Sequence, residues 1–303
     1  MNGNRVVYVI ANPNAGEFSK ERLEIIMKAC GQFSPVSVIT KRQGEAAEFA
    51  AGIDDGSYLI VIGGDGTINE VIQSAVNRDI TIIPAGGGTG SDLARTTGVL
   101  SIQEIVNGIL QNEAASIDTM LLECGEGKRY FGNIIEIGFG ADVMRRVNMK
   151  RKTLMNPFTS AVIHELWRLK NYELEIEFDG GNLEASTGEV IIANCRYFGS
   201  GMLASKFSDP VDGLLDLHLI RRISRLNMMR KFSKLRDGSY LDLKEVRNQS
   251  STFFGIKGDR APIEGDGEVF GFTPCKISAV PKSLKIMISQ TSPVRKISAK
   301  TLK

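Results

Sequence analysis

Apolar residues in the first 120 positions occur in four short runs, each followed by a glycine-rich or polar segment. The runs are rich in Val and Ile and have the length of buried strands, and segments with helical spacing separate them. Alternation of strand and helix predicts a parallel sheet covered by helices on both faces. The predicted strands are RVVYVIANP, SPVSVIT, YLIVIGG and ITIIPAGG, and the helical segments include SKERLEIIMKACGQF and GEAAEFAAGI.

The pattern changes after about residue 120, where short apolar segments are joined by turns of Gly, Asp and Asn. This pattern favours an antiparallel sheet or sandwich, and two helical segments interrupt it. We therefore predict an α/β domain over residues 1–122 and a β-rich domain over residues 123–284. The C-terminal tail, residues 285–303, is expected to return to the first domain.

Glycine clusters follow three of the predicted strands, in the segments NPNAG, GGDGTINE and GGGTGSD. Ligands of parallel sheets bind beyond the C-terminal ends of the strands, where such loops and the following helices can hold phosphate. The P-loop and dinucleotide signatures are absent from the sequence. Asp65, between Gly64 and Gly66, would repel a phosphate unless a divalent cation bridges them. The loop therefore predicts a metal–nucleotide complex.

The segment GGDGTINEV resembles the signature of the diacylglycerol kinase catalytic-domain family of lipid kinases, whose GGDG core is shared with NAD kinases and phosphofructokinases. The Asn69–Glu70 pair is typical of the lipid-kinase branch. The resemblance implies an N-terminal three-layer α/β nucleotide-binding domain of the NAD kinase and phosphofructokinase type and a C-terminal antiparallel β-sandwich. Further motifs follow in the family's order: NPNAG, QGEAAEFA, IIPAGGGTGSDLART, SIDTM, YFGNIIEIGFGADV, VIIANCRYFGSGM, DPVDGLLDLHLI and EGDGE.

The resemblance implies that ATP and Mg²⁺ are used to phosphorylate the hydroxyl of diacylglycerol or a related lipid alcohol. Glu268 matches the general base that takes the hydroxyl proton, and Asp266 would assist by binding the catalytic metal. Asp65, Asp92 and Asp118 match acidic groups that gather near the phosphates. The positions matching ATP-binding residues are Asn12, Pro13, Asn14, Ala15, Gly16, Thr40, Gly64, Asp65, Gly66, Thr67, Ile68, Asn69, Glu70, Thr89 and Asp92.

A second metal site is implied by the segment SDPVDGLLDL. Asp209, Asp212 and the Leu214 carbonyl match a structural Mg²⁺ site of the family and offer the oxygen ligands that Mg²⁺ accepts. The alternative is an ordinary Asp–Gly turn. The third glycine loop departs from the family pattern, since it carries two extra glycines and Ser91 replaces an asparagine. This departure leaves the placement of Thr89 and Asp92 open.

Composition and charge limit the classes of partner that the sequence supports. Of the 303 residues, 42% are hydrophobic and the formal net charge is +2, which describes a globular chain and gives no support for a nucleic-acid partner. The four separated cysteines favour reduced thiols in the cytoplasm, and no apolar run reaches the roughly 18 residues of a membrane span. Trp167 is expected in the core.

Three further expectations remain open at the sequence level. The basic segments 145–152 and 220–236 suit peripheral contact with the anionic inner face of a membrane, or else are solvated helix faces. A homodimer is compatible with the sequence. The alternatives to a lipid kinase are an NAD kinase or another small-molecule kinase with the GGDG core, or a catalytically inactive relative that binds nucleotide or lipid.

Overall fold

The N-terminal half is a parallel sheet with strand order β4-β3-β1-β2. The computed structural model describes residues 6–16, 18–85, 91–149, 157–199, 201–222, 224–290, 292 and 294. The strands are β1 (Val7–Ala11), β2 (Val36–Ile39), β3 (Tyr58–Ile62) and β4 (Thr81–Pro84). The helices are α1 (Lys20–Ala29), α2 (Glu45–Gly52), α3 (Asp65–Ala75), α4 (Asp92–Thr97) and α5 (Ile102–Gln111), with a 3₁₀ turn at Gly31–Phe33.

Two apolar clusters cover the two faces of this sheet. Leu59 and Val61 of β3 belong to one cluster, and Ile60 and Ile62 belong to the other, because successive side chains of a strand point to opposite faces.

The prediction of a buried strand is wrong for β2. That strand lies at the sheet edge, and its Val36 is 49% exposed.

The C-terminal half is a mainly antiparallel β-sandwich with its own apolar core. Its strands are β5 (Ala114–Cys124), β6 (Gly127–Phe131), β7 (Ile134–Gly138), β8 (Tyr172–Phe178), β9 (Gly181–Ala193), β10 (Tyr197–Phe198), β11 (Met202–Leu203), β12 (Leu215–Arg221), β13 (Val246–Ser251), β14 (Phe253–Gly258), β15 (Pro262–Gly265), β16 (Glu268–Phe272) and β17 (Cys275–Met287). Its helices are α6 (Phe139–Met149), α7 (Pro157–Trp167) and α8 (Arg225–Lys231), with 3₁₀ turns at Phe232–Leu235 and Ser239–Asp242.

Strands β5 and β17 connect the two halves. They pair antiparallel from Ala114 opposite Met287 to Cys124 opposite Cys275, and Ile286 of β17 lies beside Ile82 of β4. The N-terminal sheet therefore continues into β17. The predicted domain boundary at residue 122 falls inside β5, and the division into domains stays a prediction.

The predicted fold class is confirmed: an α/β nucleotide-binding fold is followed by a β-sandwich. Among the residues that the structure describes, no helix is long and apolar enough to cross a membrane. The expectation that Trp167 lies in the core is wrong. Trp167 is the last residue of α7, and its side chain is 67% exposed.

Candidate active site

A polar cavity of about 390 Å³ lies where β1, β2 and β3 end. The first two glycine-rich segments and the end of β2 therefore meet at one edge of the sheet, as the strand pattern predicts. The cavity is lined by Asn12, Asn14, Ala15, Thr40, Arg42, Gln43, Ala46, Gly64, Gly66, Thr67, Glu70 and Glu268.

Short contacts hold the loops of this polar cavity. The Asn12 side-chain amide donates a 2.9 Å hydrogen bond to the Thr67 hydroxyl, which joins the loop after β1 to the first turn of α3. Gly63 allows this turn to lie close to β3, since a Cβ at that position would come within 2.7 Å of the Thr67 hydroxyl. The backbone N–H groups of this first helical turn are suited to hold an anionic oxygen.

Six of the predicted nucleotide-binding residues that the structure describes do not line the polar cavity: Pro13, Gly16, Asp65, Ile68, Asn69 and Asp92. Pro13 and Gly16 are exposed outside it, and Ile68 and Asn69 are buried. The side chain of Asn69 instead donates to the Tyr130 carbonyl at 3.1 Å. Only backbone groups of Ile68 and Asn69 could therefore serve the nucleotide. Thr89 lies outside the described residues.

Three carboxylates converge beside the polar cavity. Burial, together with the charges of Asp92 and Asp266, raises the pKa of Asp65 to about 8, although hydrogen bonds from the Asp92 backbone and the Ser91 side chain oppose the increase. One buried oxygen of Asp65, Oδ1, has no hydrogen-bond partner among the residues that the structure describes. Asp92 begins α4, and its Oδ1 accepts a 2.8 Å hydrogen bond from the backbone of Gly201.

Asp118 is held apart from this group by backbone contacts, and its predicted place near the phosphates stays a prediction. It lines neither this cavity nor the apolar cavity described below. Both of its carboxylate oxygens accept 2.7 Å hydrogen bonds from backbone N–H groups, one from Gly213 and one from Lys282. Asp118 therefore ties the loop before β12 to β17.

Asp266 stands in the turn between β15 and β16. Its carboxylate accepts backbone hydrogen bonds from Gly132, Asn133 and Ile134 at 2.9, 3.1 and 3.1 Å, and a longer one of 3.4 Å from the Asn69 side chain. Burial raises the pKa of Asp266, and these donors oppose the increase. The turn between β15 and β16 is therefore held against the segment that joins β6 to β7.

Glu268 begins β16 and faces the polar cavity. It forms an ion pair with Arg129, whose guanidinium also donates to the Asn69 side chain at 2.7 Å. A Cβ placed at Gly66 would lie 3.5 Å from Glu268, so the carboxylate lies against the third glycine of the GGDG segment. Burial raises the pKa of Glu268, whereas Arg129 lowers it.

A second cavity, of about 460 Å³, lies on the other side of the turn between β15 and β16, and we call it the apolar cavity. Its apolar lining includes Phe139, Val143, Met144, Phe158, Val162, Phe198, Met202, Ile220, Met228 and Leu235. Asp65, Asp92, Asp266 and Gly267 also line it, while Gly64, Gly66 and Glu268 line the polar cavity. The start of α3 and the turn between β15 and β16 thus form a wall that both cavities share.

The predicted structural metal site is an exposed-to-half-buried loop. Asp209 accepts a 3.2 Å hydrogen bond from Val211, and Asp212 accepts one of 2.9 Å from the backbone N–H of Leu214. Burial, assisted by neighbouring aspartates, raises the pKa of Asp212 to about 6. Within the described part of the chain, no group of three or more His, Cys, Asp or Glu is arranged to hold a metal ion. Magnesium at this loop stays a prediction.

Sequence reasoning missed several residues of the site. Arg42 and Gln43 line the polar cavity, and three glutamates line the apolar cavity: Glu136, Glu189 and Glu264. A signal for the glutamates exists in the sequence, since each interrupts or borders an apolar strand, in NIIEIGF, GEVIIAN and APIEGDG. A charged residue inside a buried strand is rare unless it is paired or functional.

Two family models together cover most of the chain. Residues 6–122 match the diacylglycerol kinase catalytic domain. Residues 133–288, more than half of the chain, match the YegS C-terminal NAD kinase beta sandwich-like domain. The chain belongs to the diacylglycerol kinase-like lipid kinase family. Its enzyme class is therefore that of phosphotransferases with an alcohol acceptor.

Individual relatives agree with the family. The chain is 29% identical to a diacylglycerol kinase of Mycobacterium tuberculosis over 251 residues, which cover 80% of this chain and 79% of the relative. It is 23% identical to a diacylglycerol kinase of Staphylococcus carnosus, with 92% and 93% covered.

Solved structures show the same fold. The crystal structure of a diacylglycerol kinase from Bacillus anthracis matches with a TM-score of 0.68 and 20% identity, covering 95% of this chain and 98% of that one. An NAD kinase from Archaeoglobus fulgidus, solved with ATP, matches with a TM-score of 0.56 and 13% identity, covering 98% and 99%.

Asp65→Asn should stabilise the metal-free protein, and the gain should increase with pH. The Asp65 pKa is about 8 in the folded protein against an ordinary value of 3.8. Below both values each state binds the proton, whereas between them the unfolded chain ionises more readily, so Asp65 lowers stability as pH rises. The Tm difference between variant and parent, measured with a chelator, should therefore be larger near pH ~8 than near pH ~5.

The exposed Asp54 provides the matched control, and Asp54→Asn should change Tm little at either pH. A Tm difference for Asp65→Asn that is equal at the two pH values would contradict the raised pKa.

Proposed function

We propose that this protein transfers the γ-phosphoryl group of ATP to the hydroxyl of a lipid alcohol of the diacylglycerol type, with Mg²⁺. The observation that carries this proposal is the shared wall between the two cavities. A polar cavity with glycine loops suits a nucleotide, and an apolar cavity suits an acyl or alkyl chain. The groups of the shared wall are those that a phosphoryl transfer between the two cavities needs.

Glu268 is suited to accept the proton of the acceptor hydroxyl. An aliphatic hydroxyl is a weak nucleophile, so a carboxylate within reach of its proton assists the attack. Burial raises the pKa of Glu268, which makes it a better base than an exposed glutamate, and the ion pair with Arg129 orients it. The N–H groups at the start of α3 are placed to stabilise charge on the transferred phosphoryl group.

Asp65 is the residue best suited to hold Mg²⁺ that arrives with ATP. Its unpartnered buried oxygen and its two carboxylate neighbours fit a hard cation with oxygen ligands. Mg²⁺ in kinases is bound by one or two carboxylates together with substrate phosphates and water, so a cluster of three protein ligands is not needed. When bound, the ion would neutralise charge on the phosphates.

The apolar cavity favours a lipid over NAD as the acceptor. NAD is a large polar dinucleotide, whereas most of the side chains around the apolar cavity are aliphatic or aromatic. The intact set of Asp65, Asp266 and Glu268 supports an active enzyme rather than an inactive relative.

The helices around the apolar cavity also suit contact with an anionic bilayer. Apolar side chains on α6, α7 and α8 point to solvent, among them Met149, Phe158, Ile163, Trp167, Leu226 and Met229. Basic residues, including the exposed Arg225 and Arg230 of α8, lie beside them. Two contributions favour binding of a protein to a membrane surface: apolar side chains that enter the interface, and cations that face anionic headgroups. A lipid would then enter the apolar cavity from the bilayer.

Glu268→Gln should lower phosphoryl transfer by about 100-fold to 10,000-fold, the usual contribution of a general base, and leave ATP binding intact. In the assay, the enzyme is incubated with labelled ATP and a mixed lipid extract, and in a separate reaction with labelled ATP and NAD. Label in the organic phase supports a lipid acceptor, and label on NAD supports the alternative. The exposed Glu24→Gln serves as the control. Undiminished turnover of Glu268→Gln would remove Glu268 from the role of base.

Val162→Trp should lower kcat/KM for the lipid at least about 10-fold, because the added ring occupies space that the chain would use. Val162 of α7 is buried and lines the apolar cavity. Its neighbour Ile163 is 47% exposed, so Ile163→Trp is a matched control with the same added bulk outside the cavity. ATP affinity should be similar in both variants, and Tm shows that each variant is folded in the assay, since the buried Val162 tolerates a larger ring less well than the exposed Ile163. Equal lipid kinetics in the two variants would argue against the apolar cavity as the acceptor site.

Changing Arg230, Lys231 and Lys234 together to Glu should weaken binding to anionic vesicles, since each cation near such a surface contributes about 1 kcal/mol. The control changes the exposed Lys20, Lys28 and Arg247 to Glu, which alters the net charge equally. Vesicle co-sedimentation measures both. If the two variants bind equally well, α8 is not the membrane-facing surface.

A further inference from the structure

Three glutamates lie together on one wall of the apolar cavity, on the adjacent strands β15, β7 and β9. Glu264 pairs directly across the strands with Glu136, and Glu189 pairs with Gly138, two residues beyond Glu136. Residues directly opposite each other, and residues two apart on a strand, point to the same face. We call Glu136, Glu189 and Glu264 the carboxylate cluster.

No described cation compensates this cluster. Glu189 and Glu264 are 3% and 4% exposed, and none of the three glutamates forms an ion pair within the described residues. Burial raises the pKa of all three carboxyl groups, and the charge of Glu136 adds to the increase at Glu189 and Glu264. Buried charges in proteins are normally paired or hydrogen-bonded, so the cluster is costly to the empty protein.

The hydrogen bonds within the protein satisfy only part of the cluster. Glu189 Oε2 accepts from the backbone of Gly140 at 2.7 Å, and Glu264 Oε2 accepts from the backbone of Gly267 at 3.0 Å. Glu136 accepts a side-chain hydrogen bond from the protonated carboxyl group of Glu264. The other oxygen of Glu189, Oε1, is buried and has no hydrogen-bond partner within the described part of the chain.

Structural contacts account for part of the cluster. Glu189 receives a backbone N–H from the first turn of α6, where a carboxylate stabilises the helix. That contact uses Oε2 and leaves Oε1 of Glu189 without a partner among the described residues. A divalent metal is also a poor fit, since no such group of carboxylates among the described residues is arranged for one. The cluster therefore calls for a ligand that donates hydrogen bonds.

We propose that the carboxylate cluster binds a protonated amine on the acceptor lipid, so that the preferred acceptor is a long-chain amino alcohol. This inference rests on the proposed lipid-kinase function. An ammonium group supplies positive charge and three N–H donors, whereas the ester groups of a neutral glycerolipid only accept hydrogen bonds. Gly267 donates to Glu264 and precedes Glu268, so an amine at the cluster lies next to the turn that carries the proposed base.

The apolar part of the same cavity would hold the hydrocarbon chain. Val143 and Met144 of α6, Val162 of α7 and Met228 of α8 line it on the side of the exposed apolar helices. One cavity thus combines an anionic polar wall with an apolar remainder. This combination matches a molecule with a cationic head and a single long chain.

Matched acceptors test the inference directly. The purified full-length enzyme is assayed with ATP and Mg²⁺ on a long-chain vicinal amino alcohol, its N-acetylated form and the vicinal diol of equal chain length. The free amine should have a kcat/KM about 10-fold to 100-fold above the other two, the scale of one hydrogen bond to a charged group. Equal or higher kcat/KM for the neutral acceptors would overturn the inference and leave the lipid-kinase function standing.

Variants of the cluster show whether these glutamates cause the preference. Glu189→Gln and Glu136→Gln keep the size of the side chain and remove its charge, and each should reduce the ratio of kcat/KM between amine and diol by about 10-fold or more. Glu184→Gln is the control, since Glu184 lies on the same strand β9 and is exposed. A ratio that stays at the parent value in folded variants, judged by Tm, would contradict the assignment.

Calorimetric binding of the amino alcohol separates the two proposals. If no acceptor is phosphorylated, the proposed function fails. Binding of the amine that is tighter than binding of the diol, and that Glu189→Gln weakens, would still support the cluster as an amine site. Absence of any such binding would overturn the inference as well.

Discussion

The structure depends on the hydrogen bonds that the Asp266 carboxylate accepts from three successive backbone N–H groups, those of residues 132 to 134. They join the turn between β15 and β16 to the segment between β6 and β7. Asp266 and Gly267 both have positive φ, 47° and 86°, a conformation that is uncommon for a residue other than glycine. The turn formed in this way places Glu268 on the polar cavity and Gly267 on the apolar cavity. Without this contact, the two cavities would lose their common wall.

The site contains several buried acidic side chains, which a protein selected only for stability would not bury close together. Asp65, Asp92 and Asp266 converge at the shared wall, and the carboxylate cluster lies farther along the apolar cavity. Burial raises the pKa of Asp65, Asp266 and the three glutamates of the cluster, so ionising these carboxyl groups destabilises the empty protein. Cations that arrive with substrates would relieve this cost, which ties the stability of the site to its occupancy. Departures from ordinary burial rules are expected at functional sites.

Much of the fold follows from local pattern. The alternation of Val- and Ile-rich runs with helical segments predicted the parallel sheet, because side-chain period and chain direction are properties of neighbouring residues. The burial of individual side chains was harder to predict from the sequence. The run that forms β2 has the composition of a core strand, but it lies at the sheet edge and its Val36 is 49% exposed. Trp167 points to solvent although its helix packs on α6 and α8. Both outcomes depend on what lies across from the residue in space.

The sequence by itself determined the family and the meeting of the first two glycine loops at one sheet edge, since each of these motifs is continuous in the chain. Only the tertiary structure decided that Asp118 serves a backbone contact near β17 and that Glu136, Glu189 and Glu264 share one wall. Those glutamates are far apart in sequence, and strand pairing brings them together. A cavity is enclosed by such long-range pairings, so no local pattern encodes its lining or its charge.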